Sequence, residues 1–153
     1  TNQEVGRPGC QPIIALIEHH DPAEVFTLFR AADLCIVSSL HDGMNLVAKE
    51  FVASRDDEQG VLILSTFAGA SKELLEAIPV NPYDPHGMAQ AIHRALTMSS
   101  EEQRERMRWL RSMVRDNNVY HWAARMLTDA SDLRKRAHIE KFVQTFYPPR
   151  EVP

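Results

Sequence analysis

Cysteine is almost absent from this 153-residue chain: only Cys10 and Cys35 occur, which excludes a disulfide-stapled scaffold. No CxxC pair or Cys/His cluster has metal-ligand spacing, so no metal is expected to be required. No apolar run approaches 18 residues, and a membrane partner is not expected. Glycine is scarce and never forms a Gly-rich dinucleotide fingerprint, a Walker lysine loop or a G-x-S-x-G elbow. A P-loop ATPase and a serine hydrolase of the nucleophile-elbow type are therefore set aside. The formal charge of −4, with no long basic run, gives no reason to expect nucleic acid as a partner. The chain opens on Thr1-Asn2-Gln3 without a methionine or a secretory leader. The expectation is a segment of a longer, cytoplasmic protein.

Short apolar runs and capped helix patterns alternate along the chain. Pro12–Ile17, Leu34–Ser38, Val61–Leu64 and Ile78–Asn81 read as strands, the last an edge strand because Pro79 lacks an N–H. Val61-Leu62-Ile63-Leu64 is apolar throughout, as a strand covered on both faces would be. Asp21-Pro22 with Glu24, Asp84-Pro85, and Ser99 with Glu102 mark helix starts. The buried stripes expected are Val25, Leu28 and Phe29; Leu46, Val47, Phe51 and Val52; Met88, Ile92, Ala95 and Leu96; and Met107, Leu110, Met113 and Val114. Residues 72–77 fit a short helix. A last helix is expected from about Val119 to the Lys135 region, anchored by Trp122, Met126 and Leu127. Phe142–Tyr147 reads as a helix end or a docking tail, and the first eleven residues as a loop. The order predicts an α/β fold: a Rossmann-like parallel sheet with helices on both faces.

The stretch of greatest interest is Leu40–Glu50, where a strand runs through polar and glycine residues into a helix. In open α/β sheets that corner lies at the ligand-binding end of the strands, and its amides favour an anion. Asp42 is either an N-cap or a hydroxyl-binding carboxylate, and Glu50 either a solvated helix residue or a ribose ligand. Gly43 and Gly69 follow strands and suit either an ordinary turn or close approach of a ligand. Lys49 reads as a surface residue. Of the histidines, His19, His20 and His41 stand nearest such a site. The arginines from Arg104 to Arg115 are interspersed with Glu101, Glu102 and Glu105 and read as a mixed solvated surface.

Asp42-Gly43-Met44-Asn45-Leu46-Val47-Ala48-Lys49-Glu50, followed in order by Val61–Ser65, Phe67-Ala68-Gly69-Ala70 and Val80-Asn81-Pro82-Tyr83-Asp84, resembles the trehalose-6-phosphate synthase family of retaining glycosyltransferases, glycosyltransferase family 20. The resemblance extends from about Gly6 to the helix with Asn117, His121 and Trp122, and implies the C-terminal, donor-binding half of a two-domain GT-B fold. On that reading residues 1–117 form an incomplete nucleotide-sugar domain. Residues 118–153 form a helical extension toward the missing N-terminal domain, which would supply most of the acceptor site; the arginine and lysine that grip the diphosphate would also lie upstream of this chain. The resemblance implies transfer of glucose from a nucleotide sugar, UDP-glucose, to glucose 6-phosphate with retention, giving α,α-trehalose 6-phosphate without a metal or other cofactor. It implies a front-face mechanism in which the leaving phosphate helps take the acceptor proton. It places Asp42 on the donor glucose and the backbone of Gly43, Met44, Asn45, Leu46 and Val47 on the sugar or diphosphate. Glu50 falls on the ribose. His41 departs from the arginine that many members carry. A relative with another acceptor, such as glycerol 3-phosphate, and a non-catalytic sugar-nucleotide-binding regulatory module are the alternatives. Homo-oligomerisation is left open.

Overall fold

The computed structural model describes residue 6 and residues 11–146, with side chains described as far as residue 141. Most of the opening loop, Cys10 and the segment from Tyr147 onward lie outside the described residues.

Helix α1 spans Pro22–Ala31, strand β1 Leu34–Val37, helix α2 Leu46–Ser54, strand β2 Val61–Ser65 and strand β3 Ile78–Val80. Helices α3 (Pro85–Thr97), α4 (Ser100–Asp116) and α5 (Val119–Phe146) follow. The three strands form one parallel sheet in the order β1-β2-β3. All five residues of β2 are buried because it is the central strand. Alternation along it sends Leu62 and Leu64 to one face and Val61 and Ile63 to the other. The first face is covered by Ala48, Phe51 and Val52 of α2 and by Met107 and Leu110 of α4. The second is covered by Ala91 and Ala95 of α3, with Met98 just beyond it. Pro79 is exposed on the edge strand β3, as its missing donor requires.

Pro12–Ile17 forms no strand, contrary to expectation, and Ile13, Ile14, Leu16 and Ile17 are exposed. A strand exists only with a neighbour to complete its ladder, and this run is not laddered to β1. The helix at 72–77 is replaced by a short 3-10 turn, Gly69–Lys72, and further turns that bury Leu74 and Ala77. Leu28, Leu46, Val47 and Leu96 are exposed rather than buried, and Met113 lies at the margin. Helix α1 packs chiefly on α2, so only its Phe29 reaches the core, edge-on to Phe51 at 5.9 Å. Small alanines, not Leu96, carry the tight contact of α3. Trp122, Met126 and Leu127 are exposed instead of anchoring α5, which is also longer than expected.

The three sequence-level caps hold: Asp21, Asp84 and Ser99 each accept a backbone N–H of the first turn. Glu102, however, turns its carboxylate to Arg106 rather than back to the cap. Arg106 also reaches Glu76, Arg108 reaches Glu58, and Arg111 donates to the Val52 and Ala53 carbonyls at the end of α2. These arginines of α4 brace the fold. Cys35 is half-buried on β1, and burial pushes its thiol up to about 11. The thiolate is the reactive form. Iodoacetamide at neutral pH is therefore expected to leave Cys35 unmodified in the native protein and to label it in urea, as mass spectrometry of the peptide reads out.

Candidate functional site

Two corners meet at the carboxyl end of the sheet. The first follows β1 and leads into α2; the second follows β2 and contains the Gly69–Lys72 turn. Ser65 Oγ, fully buried, donates to Ser39 O at 2.7 Å and accepts from Phe67 N at 3.1 Å. Asp42 and Ala68 form an isolated parallel bridge, and Gly69 N donates to Asp42 O at 2.8 Å. Gly69 lies so close to the first corner that a Cβ there would stand 1.9 Å from Gly43 O. Neither glycine has positive φ, so Gly69 serves close approach of two backbones rather than a left-handed turn. Gly43 faces open space.

Asn45 carries the left-handed conformation instead, with φ of 65°, and is buried. A short polar side chain tolerates that region because it can bond locally. Its Oδ1 accepts from Ala48 N at 2.9 Å, which makes Asn45 the N-cap of α2. Asp42 is not the cap. Its Oδ1 accepts from Met44 N at 3.1 Å and Asn45 N at 2.9 Å, and its Oδ2 accepts from Asn45 Nδ2 at 2.9 Å. The Asn45 side-chain amide, then the Met44 amide, hold this carboxyl below its ordinary value of 3.8, with smaller help from the Asn45 amide and His41. Asp42 is thus ionised at neutral pH. Its folded-state pKa is depressed, so its contribution to the turn is present above the ordinary value and is lost as pH falls through the lower one.

The expected site residues therefore fall into separate roles. The amides of Met44 and Asn45 are taken by Asp42, and that of Ala48 by the Asn45 cap. Leu46 and Val47 occupy the first helical turn, where amides have no intrahelical acceptor, and both side chains are exposed at the rim. Glu50 is exposed on α2, four residues after Leu46 and so on the same helix edge. Lys49 binds Glu73 at 2.7 Å. A cavity of about 680 Å³ has Gly43, Met44 and Leu46 on one wall and His121, Trp122 and Arg125 of α5 on the other. Asp42, Val47 and Glu50 do not line it. His20 turns back to Glu24 of α1, whereas His41 is exposed beside Asp42. Among the described residues no three His, Cys, Asp or Glu side chains are grouped to hold a metal ion. The cap role of Asn45 is the feature that pattern reading missed. Its signal was an Asn placed directly before the helical run Leu46-Val47-Ala48.

The model of the family described as glycosyltransferase family 20 matches residues 1–132. A trehalose-6-phosphate synthase of Citrobacter koseri is 43% identical over 137 residues, covering 89% of this chain and 29% of the relative. A bifunctional trehalose-6-phosphate synthase/phosphatase of Thermoproteus tenax is 47% identical over 121 residues, 79% of this chain and 17% of the relative. Among solved structures, an E. coli protein described as bound with UDP-2-fluoro glucose aligns with a TM-score of 0.80 at 43% identity. The alignment covers 84% of this chain and 29% of that one. A UDP-forming α,α-trehalose-phosphate synthase of Burkholderia xenovorans, in complex with glucose-6-phosphate, aligns with a TM-score of 0.80 at 42% identity, covering 84% and 28%. The chain spans less than a third of the length of these relatives. It belongs to glycosyltransferase family 20, the trehalose-6-phosphate synthase family, and its open parallel sheet with flanking helices is a Rossmann-like half of the GT-B fold.

Proposed function

We propose that the protein containing this chain is a retaining glycosyltransferase that moves glucose from UDP-glucose to glucose 6-phosphate, forming α,α-trehalose 6-phosphate. This chain is then its donor-binding portion. The observation that carries the reading is the 43% identity and shared fold with the E. coli protein whose structure is described as holding UDP-2-fluoro glucose. The site geometry is compatible with it. Asp42, charged and fixed by three donors, meets donor glucose hydroxyls and stands near positive charge building on the sugar ring. The open amides of Leu46 and Val47 face the diphosphate, with Gly43, Met44 and Asn45 shaping the turn beside it. Glu50, on the same helix edge as Leu46, takes the ribose hydroxyls. No protein nucleophile is required: the leaving phosphate takes the acceptor proton, and the enzyme contributes positioning and electrostatics.

On the same reading, the helical extension that begins at residue 118 runs toward the upstream domain, which supplies most of the acceptor site, and the basic grip on the diphosphate also comes from upstream of this chain. A cytoplasmic location goes with it. No helix among the described residues is long and apolar enough to cross a membrane.

In the full-length protein, Asp42→Ala is expected to lower kcat by about 10²–10³-fold. Glu50→Ala is expected to raise the KM for UDP-glucose about tenfold with a smaller change in kcat. Steady-state assays of both variants test the roles, and unchanged kinetics in both would refute them. Product analysis with glucose 6-phosphate and glycerol 3-phosphate tests the acceptor. No transfer by a wild-type protein that binds UDP-glucose would instead indicate a regulatory module.

A further inference from the structure

Lys49 sits next to Glu50 on α2 but about 100° around the helix from it, and together with Glu73 it lines the cavity beside Leu46. Its side chain is only 16% exposed and meets Glu73 Oε2 at 2.7 Å. Glu73 closes the 3-10 turn of the second corner, its own N–H bonded to Ala70 O at 3.0 Å. The second corner is thus tied at three successive points. Ser65 holds its start to Ser39, Gly69 holds its middle to Asp42, and Glu73 holds its end to Lys49. The first two ties end on the loop before the helix. The third ends on α2 itself, between Leu46 and Glu50.

We propose that Lys49 is a positioning residue for the donor: through Glu73 it clamps α2 to the Gly69–Glu73 corner and so sets the distance between Asp42 and the Leu46–Glu50 edge. The inference rests on the donor-site reading given above. Asp42 already holds the N-terminus of α2 through Asn45, and Lys49 adds a second tie one turn further on, which fixes the Glu50 end of that edge against the second corner. A sugar nucleotide that touches Asp42 at one end and Glu50 at the other needs both held in one register. Without the clamp, α2 keeps its core contacts through Ala48, Phe51 and Val52, so the fold survives while the register loosens.

The test uses the full-length protein and UDP-glucose. Calorimetry on the wild type comes first: no binding there refutes the donor reading itself, independently of Lys49. Given wild-type binding, Lys49→Met and Glu73→Gln are each expected to raise the donor KM about tenfold, with the acceptor KM and the thermal midpoint nearly unchanged. The charge-swapped pair Lys49→Glu with Glu73→Lys is expected to return the donor KM to within about threefold of wild type. Unchanged donor KM in both single variants overturns the proposal. So does a rise for Lys49→Met without one for Glu73→Gln, which would make Lys49 a direct ligand contact. Failure of the swap to restore binding, or a fall in thermal midpoint that parallels the loss of affinity, overturns it as well.

Discussion

Gly69→Ala in the full-length protein is expected to lower kcat/KM for the donor about a hundredfold, because a displacement of about 1 Å in a positioned site costs that much. The added methyl would lie 1.9 Å from Gly43 O and 2.8 Å from Gly43 C, both backbone atoms that no rotamer change can move aside. The two corners must separate by more than about 1 Å to reach van der Waals contact. That movement opens the 2.8 Å bond from Gly69 N to Asp42 O and the Asp42–Ala68 bridge. Gly43 and Met44 move with it, and the Asp42–Asn45 turn loses its outer support. Overpacking of this kind also costs about 1–3 kcal/mol of stability, so urea midpoints belong beside the kinetics. Gly43→Ala is the control. No atom lies within 4 Å of its added methyl and its φ is not positive, so folding should be unaffected. Donor kinetics of Gly69→Ala within twofold of wild type would refute the account of the joined corners.

What the sequence made legible was local chemistry. Asp21-Pro22, Asp84-Pro85 and Ser99 announce helix starts because a cap is satisfied within three residues. The unbroken apolar run of β2 announces burial on both faces. Pro12–Ile17 has the composition of a strand, but a ladder partner is a non-local fact that composition does not contain. Leu46 and Val47 are apolar at helical spacing, yet both are exposed, because spacing alone does not say which face of α2 meets the sheet. Local reading also left Asp42 between cap and ligand, whereas in the structure it braces its own turn and Asn45 caps the helix. The pattern left Asp42 and Glu50 each with a bland and a ligand reading, and the resemblance to a family is what chose the sugar and the ribose. Lys49 reads as surface charge and Arg55 carries no signal that sets it apart, because nothing in a single sequence shows which cation is buried.

Arg55→Met is expected to destabilise the domain by about 3–5 kcal/mol, because it strips one buried donor from four backbone carbonyls at once. Arg55 lies in the charged turn Ser54–Gly60, yet is 4% exposed. Its guanidinium donates to Phe29 O, Arg30 O and Ala32 O at 2.8–2.9 Å, which closes the carboxyl end of α1. Nε donates to Gln59 O at 2.7 Å, and the second amino group reaches Asp57 at 3.0 Å. The guanidinium carbon lies 5.7 Å from the centre of the Phe51 ring, on the buried face of α2. One side chain thus neutralises the negative end of one helix, fixes the turn that ends another and covers a core aromatic. Methionine keeps much of the volume but leaves those carbonyls without their donor, each costing about 1–3 kcal/mol if it stays dry. Arg55→Lys should recover only part of the loss, since a single ammonium cannot span the Ala32 and Gln59 carbonyls as a planar fork does. Gly60 belongs to the same arrangement: it has φ of +90° and a Cβ there would stand 3.1 Å from the guanidinium. Urea unfolding of the full-length protein measures the effect, and a loss below about 1 kcal/mol for Arg55→Met would refute it. The contrast with Gly69 is the sharper test. Arg55 supports the α1–α2 flank, whereas Gly69 joins the two corners. Arg55→Met should therefore lower the midpoint with little change in donor KM under native conditions, and Gly69→Ala should change donor kinetics more than its loss of stability accounts for.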